Sequence, residues 1–223
     1  MFAVVLLPLT LPASPAAAFP CTNYNYRAGT RALNVTVATG VSGVIKTPLS
    51  TDVYNYGTNE PSTADIYMWK QGSASFVQVG WYLGSAENLP TATQPRLFWG
   101  EYNPSDTNGE TLHAGTTLSW GTYYSFAITN PLDGTNRFNI WLQGNIIARS
   151  ALGHDLNAPG FNGEVDYQCT TMFALASHAQ SPLRTLQYRY GSWMYFSGTT
   201  FADSGFHSGD IGDIATDFAY GGG

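Results

Sequence analysis

The chain has 223 residues, a formal net charge of −6, only 11% charged residues, 14% aromatic residues and 24 glycines. So acidic a chain lacks the basic surface that neutralising phosphates demands, and nucleic acid is excluded as the expected partner. Few charges with many aromatics and glycines favour strands and turns over helices, and a chain of roughly two hundred residues suits one all-β domain.

In chain order, the apolar run from Phe2 to Leu9 leads into Ala13-Ser14-Pro15-Ala16-Ala17-Ala18, a small-residue cleavage pattern. It reads as a secretory signal peptide over 1–18, cut after Ala18 and shortened at its start, since no Lys or Arg precedes the apolar run. The run falls short of the ~20 apolar residues of a spanning helix, so a secreted, extracellular protein with no membrane contact after cleavage is expected. In that oxidising setting Cys21 and Cys169 are expected to form a disulfide. Closing so long a loop stabilises by up to about 5 kcal/mol in the chain-entropy picture.

Residues 19–60, rich in Asn, Thr, Tyr and Gly, read as an N-terminal arm with one strand at Val41–Thr47. Over 61–204, strand-like runs recur between turn signals: Asp65–Lys70, Phe76–Leu83, Arg96–Tyr102, Tyr123–Thr129, Arg137–Leu142, Asn145–Ala148, Glu164–Cys169 and Leu183–Tyr190. That spacing predicts an antiparallel β-sandwich of two packed sheets. One short helix is expected at Thr171–Gln180, and the Gly-rich tail, 205–223, reads as loosely ordered.

Alternation along each strand separates core from surface. Val77, Val79, Trp81 and Leu83 form an inward row, which turns Phe76, Gln78, Gly80 and Tyr82 to the other face. Gly80, without a side chain, is expected to let an extended ligand approach closely beside Gln78. The same test turns Glu164 and Asp166 outward, opposite Val165 and Tyr167, and likewise Ser125, Asn139 and Trp141. If these strands are neighbours, Gln78, Ser125, Asn139, Trp141, Glu164 and Asp166 line one groove. The alternative is the solvated face of an ordinary sandwich.

The four histidines are scattered without ligand spacing, and there is no nucleophile elbow, P-loop or dinucleotide fingerprint, so neither metal nor cofactor is expected. Glu164-Val165-Asp166 resembles the start of the Glu-x-Asp signature of laminarinase-type glycosidases, but the second glutamate of that signature is missing. Longer stretches, Phe76-Val77-Gln78-Val79-Gly80-Trp81, Pro95-Arg96-Leu97-Phe98-Trp99-Gly100-Glu101-Tyr102-Asn103-Pro104 and Asn162-Gly163-Glu164-Val165, resemble the secreted glutamic peptidases, the eqolisins and the neprosin-like group. Neprosin-like proteins carry Glu where this chain has Gln78.

The resemblance implies a concanavalin-like sandwich with a concave seven-stranded sheet, on which Gln78 and Glu164 face each other across a peptide groove and share one water. Glu164 would act as general base and then acid, and Gln78 would position the water and stabilise the oxyanion. Asp166 would be a supporting partner, and Glu101 structural. The expected partner is a peptide or protein substrate acted on in acid by a monomer. The competing expectations are a non-catalytic module that grips peptide or glycan with Trp141, Tyr82 and Phe76, and a β-glycan hydrolase.

Overall fold

The computed structural model describes residues 23–32, 35–50, 62–85, 88–107, 109–167, 181–195, 199–203, 206–210 and 217–221. Among the described residues fifteen strands run in order: β1 (Asn23–Arg31), β2 (Gly40–Lys46), β3 (Ser62–Trp69), β4 (Phe76–Gly84), β5 (Ala92–Tyr102), β6 (Thr111–Thr117), β7 (Tyr123–Thr129), β8 (Asn139–Leu142), β9 (Asn145–Arg149), β10 (Ala158–Tyr167), β11 (Ser181–Tyr190), β12 (Ser192–Tyr195), β13 (Thr199–Ala202), β14 (Phe206–Asp210) and β15 (Asp217–Gly221). They form two antiparallel sheets. The first has seven strands in the order β13-β1-β10-β3-β4-β5-β6, and the second has the order β14-β15-β11-β2-β7-β8-β9 with β12 hydrogen-bonded to β11.

The sheets pack face to face because each carries a continuous apolar row. Ala64, Ile66, Met68, Val77, Val79, Trp81, Leu97 and Phe161 come from the first, and Val41, Ile45, Phe126, Ile128, Ile140 and Leu186 from the second; all belong to one buried cluster. Burying each Val, Leu, Ile or Phe side chain contributes about 1.5–3 kcal/mol. The indole N–H of the fully buried Trp81 donates to the Lys46 carbonyl at 3.3 Å, which ties β4 to the opposite sheet. The β8–β9 hairpin turns on Gln143 (φ 50°) and Gly144 (φ 75°), two left-handed residues whose twist matches the flanking strands.

Among the described residues every element is a strand, as composition implied. The region taken as an arm supplies β1 and β2, each hydrogen-bonded on both sides within a sheet. The region taken as a loose tail supplies β14 and β15, which pair with each other and with β11. Of these, β2 is the strand expected at Val41–Thr47, and its Val41 and Ile45 are fully buried in the core. The signal peptide, Cys21, Cys169 and the helix at Thr171–Gln180 lie outside the described residues. No helix among the described residues is long and apolar enough to cross a membrane.

Candidate functional site

Residues directly opposite across antiparallel strands share a face, so the register maps the outer side of the first sheet. Gln78 pairs with Tyr67 on β3 and Gly100 on β5, and Tyr67 pairs with Gly160 on β10. Glu164 pairs with Thr63, which pairs with Tyr82. Position 164 therefore has the parity of Gly160 and of Gln78. Both predicted residues stand on one face of one sheet, two strands apart and four residues offset along the strand direction. With strands ~4.8 Å apart and ~3.3 Å per residue, their Cα atoms lie about 16 Å apart.

The register also divides the predicted groove. Phe76, Gln78, Gly80 and Tyr82 stand on β4 and Glu164 and Asp166 on β10, all in the first sheet, whereas Ser125 on β7 and Asn139 and Trp141 on β8 belong to the second. Their partner rows, Tyr124, Phe126, Ile128, Ile140 and Leu142, pack on the common core. Ser125, Asn139 and Trp141 thus face away from the first sheet and line no groove with Gln78. Trp141 instead donates its indole N–H to Thr129 Oγ1 at 2.8 Å. Alternation identifies which side of a strand faces outward, but not which sheet the strand joins.

Two further expectations change. Tyr82 does turn away from the main core, but it is fully buried in a second small cluster with Ala92 and Phe98, and its hydroxyl donates to the Pro90 carbonyl at 2.9 Å. Burial raises its phenol pKa, and the charge of Arg96 offsets this in part. Gly80 does admit a close backbone, though not a ligand's: a Cβ there would lie 1.9 Å from the Ala64 carbonyl oxygen and 2.6 Å from Asp65 Cα. The glycine serves the β3–β4 pairing.

Around Gln78 the structure assembles groups that strand periodicity did not single out. Gln78 Nε2 donates to Glu110 Oε1 at 2.9 Å, from the segment entering β6. A carboxylate only accepts, so this bond sets which end of the amide is nitrogen, and the second N–H stays available. The amide lies over Gly100, where a Cβ would stand 3.2 Å from Nε2. One step along the diagonal toward position 164 is Asp65, 1% exposed, which accepts a 3.1 Å hydrogen bond from Asn162 Nδ2; Asn162 is 6% exposed. Gln78, Asp65, Asn162 and position 164 form a polar diagonal across three strands. Beside it, Trp69, Phe76 and Tyr102 stand level on β3, β4 and β5, with the Phe76 and Tyr102 rings 5.8 Å apart.

On the inner parity of β5, Glu101 is 2% exposed, and its oxygens accept the Ala151 and Leu152 N–H groups at 2.8 and 3.1 Å and His154 Nε2 at 2.8 Å. His154 Nδ1 lies 3.2 Å from Ser75 Oγ. Burial alone would raise the Glu101 pKa, but the hydrogen bonds from His154, Ala151 and Leu152 and the imidazole charge outweigh it and hold the carboxyl below its usual value. The network fastens the 150–154 loop to β5, which fits a structural Glu101. No three His, Cys, Asp or Glu side chains among the described residues are grouped to hold a metal ion.

No family model and no curated protein matches the chain by sequence. Solved structures do match. Scytalido-glutamic peptidase with a peptide-based transition-state analogue superposes with a TM-score of 0.55 at 11% identity, over 91% of this chain and 100% of that one. SCP-B, a member of the eqolisin family of peptidases in complex with the tripeptide Ala-Ile-His, gives a TM-score of 0.54 at 10% identity, over 88% and 98% of the two chains. Identity this low establishes shared architecture and not shared chemistry. The chain folds as the β-sandwich that glutamic peptidases have, as its short motifs implied.

Proposed function

We propose that this chain is a secreted endopeptidase of glutamic type, acting in acid through Gln78 and Glu164. The observation that carries the reading is the common parity of these two positions on one face of the sheet, in a glutamic-peptidase fold. In this reading the two groups bracket the substrate in series. Between the two side chains lie one water, which Glu164 activates, and the scissile carbonyl, whose oxygen Gln78 meets with an amide N–H.

Glu164 takes a proton from the water as its oxygen bonds to the carbonyl carbon. Gln78, its amide oriented by Glu110, gives the second N–H to the oxygen that becomes negative. Protonated Glu164 then passes the proton to the amide nitrogen, the C–N bond breaks, and a carboxylic acid and an amine leave. A carboxyl group that must act in both states works best near its usual pKa of about 4.3, hence in acid.

The test is to incubate the protein with a denatured protein and with β-glucan from about pH 3 to about pH 7, beside Gln78→Ala and Glu164→Gln. Proteolysis in acid that both variants lose supports the reading. Proteolysis that either variant retains, or peptide binding without turnover, removes it, and release of sugar transfers the site to the glycosidase alternative.

A further inference from the structure

We propose that Arg31 anchors a carboxylate-binding subsite on the face that carries Gln78. It selects peptides with an acidic group about four residues from the bond to be cut. Placing that bond at Gln78 rests on the peptidase reading; the carboxylate subsite itself does not.

Arg31 on β1 pairs with Gly160, Gly160 with Tyr67, and Tyr67 with Gln78, so the four stand in one row across the sheet. Gly160 has a specific part in this row. A Cβ there would fall 2.3 Å from Tyr67 Cζ and 2.5 Å from its hydroxyl, so the Tyr67 ring lies across the glycine and spans β10. The hydroxyl reaches β1 and accepts a hydrogen bond from Arg31 Nε at 3.1 Å. The guanidinium carbon lies 4.5 Å from the centre of the Phe201 ring and 5.6 Å from that of Trp69. Two aromatic contacts and one hydrogen bond thus fix the group while using only Nε.

The two terminal nitrogens form the edge that binds a carboxylate in a bidentate fork. Among the described residues no carboxylate forms an ion pair with Arg31. Its neighbour on this face, Asp65, takes its hydrogen bond from Asn162. An incoming carboxylate offsets the cost of holding the half-buried guanidinium out of water.

The reach follows from the sheet. Three inter-strand steps separate Arg31 from Gln78, about 14 Å, and an extended peptide advances ~3.3–3.6 Å per residue, giving about four residues. An Asp or Glu side chain and a free C-terminus offer the same chemistry.

The experiment uses the full chain with Gln78→Ala to prevent turnover, titrated with fluorescent peptides in three forms: an internal Glu with an amidated end, Gln in its place, and Gln with a free C-terminal carboxylate. Binding about tenfold tighter for the Glu form, the free-end form or both than for the neutral peptide is expected. The advantage should shrink with salt, vanish in Arg31→Met and return in part in Arg31→Lys, each checked for native circular dichroism. Equal affinity for charged and neutral peptides overturns the proposal, as does an advantage that is undiminished in whichever Arg31 variant folds. Mapping the products of active enzyme on a peptide library should then show acidic groups enriched about four residues from the cut. Cleavage without that enrichment overturns the spacing, whereas selective binding without any cleavage supports the subsite and sinks only the peptidase reading.

Discussion

Gln78 Nε2 lies 2.9 Å from Glu110 Oε1, and this one contact decides which way the amide of Gln78 points. Glu110 comes from a loop that no strand pattern marks, and it converts a residue with two equivalent orientations into one with a defined donor.

Glu110→Ala should therefore leave stability nearly unchanged, because an exposed contact contributes only about 1 kcal/mol or less. Turnover should fall about fivefold, the kinetic equivalent of about 1 kcal/mol lost in orientation. Steady-state kinetics that show a fall in kcat with KM steady support the orienting role, and unchanged kcat removes it.

Glu101 makes stability sensitive to acid. Its folded pKa is depressed, so it binds a proton less readily in the native state, and the stabilisation is present above its usual value of 4.5 and lost as pH falls through the folded value. Thermal melts should be level toward neutral pH and drop steeply in that acid window. Glu101→Gln should flatten the drop and, at neutral pH, cost about 3 kcal/mol by breaking a buried paired group. A variant whose melting curve tracks the wild type at every pH contradicts this account.

Gly80→Ala should cost at least about 3 kcal/mol, above ordinary overpacking, since the new methyl would meet backbone that cannot rotate away. Gly134 is the useful contrast. At φ +80° with nothing within 4 Å of a Cβ, its Ala variant bears only the left-handed strain of about 1–2 kcal/mol. Chemical denaturation of both variants measures the difference, and equal losses would show that crowding at Gly80 is relieved.

Asn162→Ala removes a hydrogen bond to the buried Asp65 and should destabilise by about 1–3 kcal/mol. Asn162→Asp, which sets a second carboxyl against the first, should be worse at neutral pH and improve in acid. Melting temperatures that do not move with pH in that variant would show the two groups to be independent.

Alternation alone determined a good deal. Val77, Val79 and Trp81 on β4 and Phe126 and Ile128 on β7 are fully buried because each strand must turn one row to the common core, and that fixes Gln78 on the outer side of its strand. What alternation cannot supply is the partner of each strand. Whether β7 and β8 lie beside β4 depends on hydrogen bonds between residues far apart in the chain, and the structure puts them in the opposite sheet, removing Ser125, Asn139 and Trp141 from the face of Gln78. The same reason hid Glu110, Asp65, Asn162 and Arg31, whose meaning lies in register and loop approach. Periodicity records the environment of a single strand, whereas a site is made by the pairing of several, and only the tertiary fold decides that.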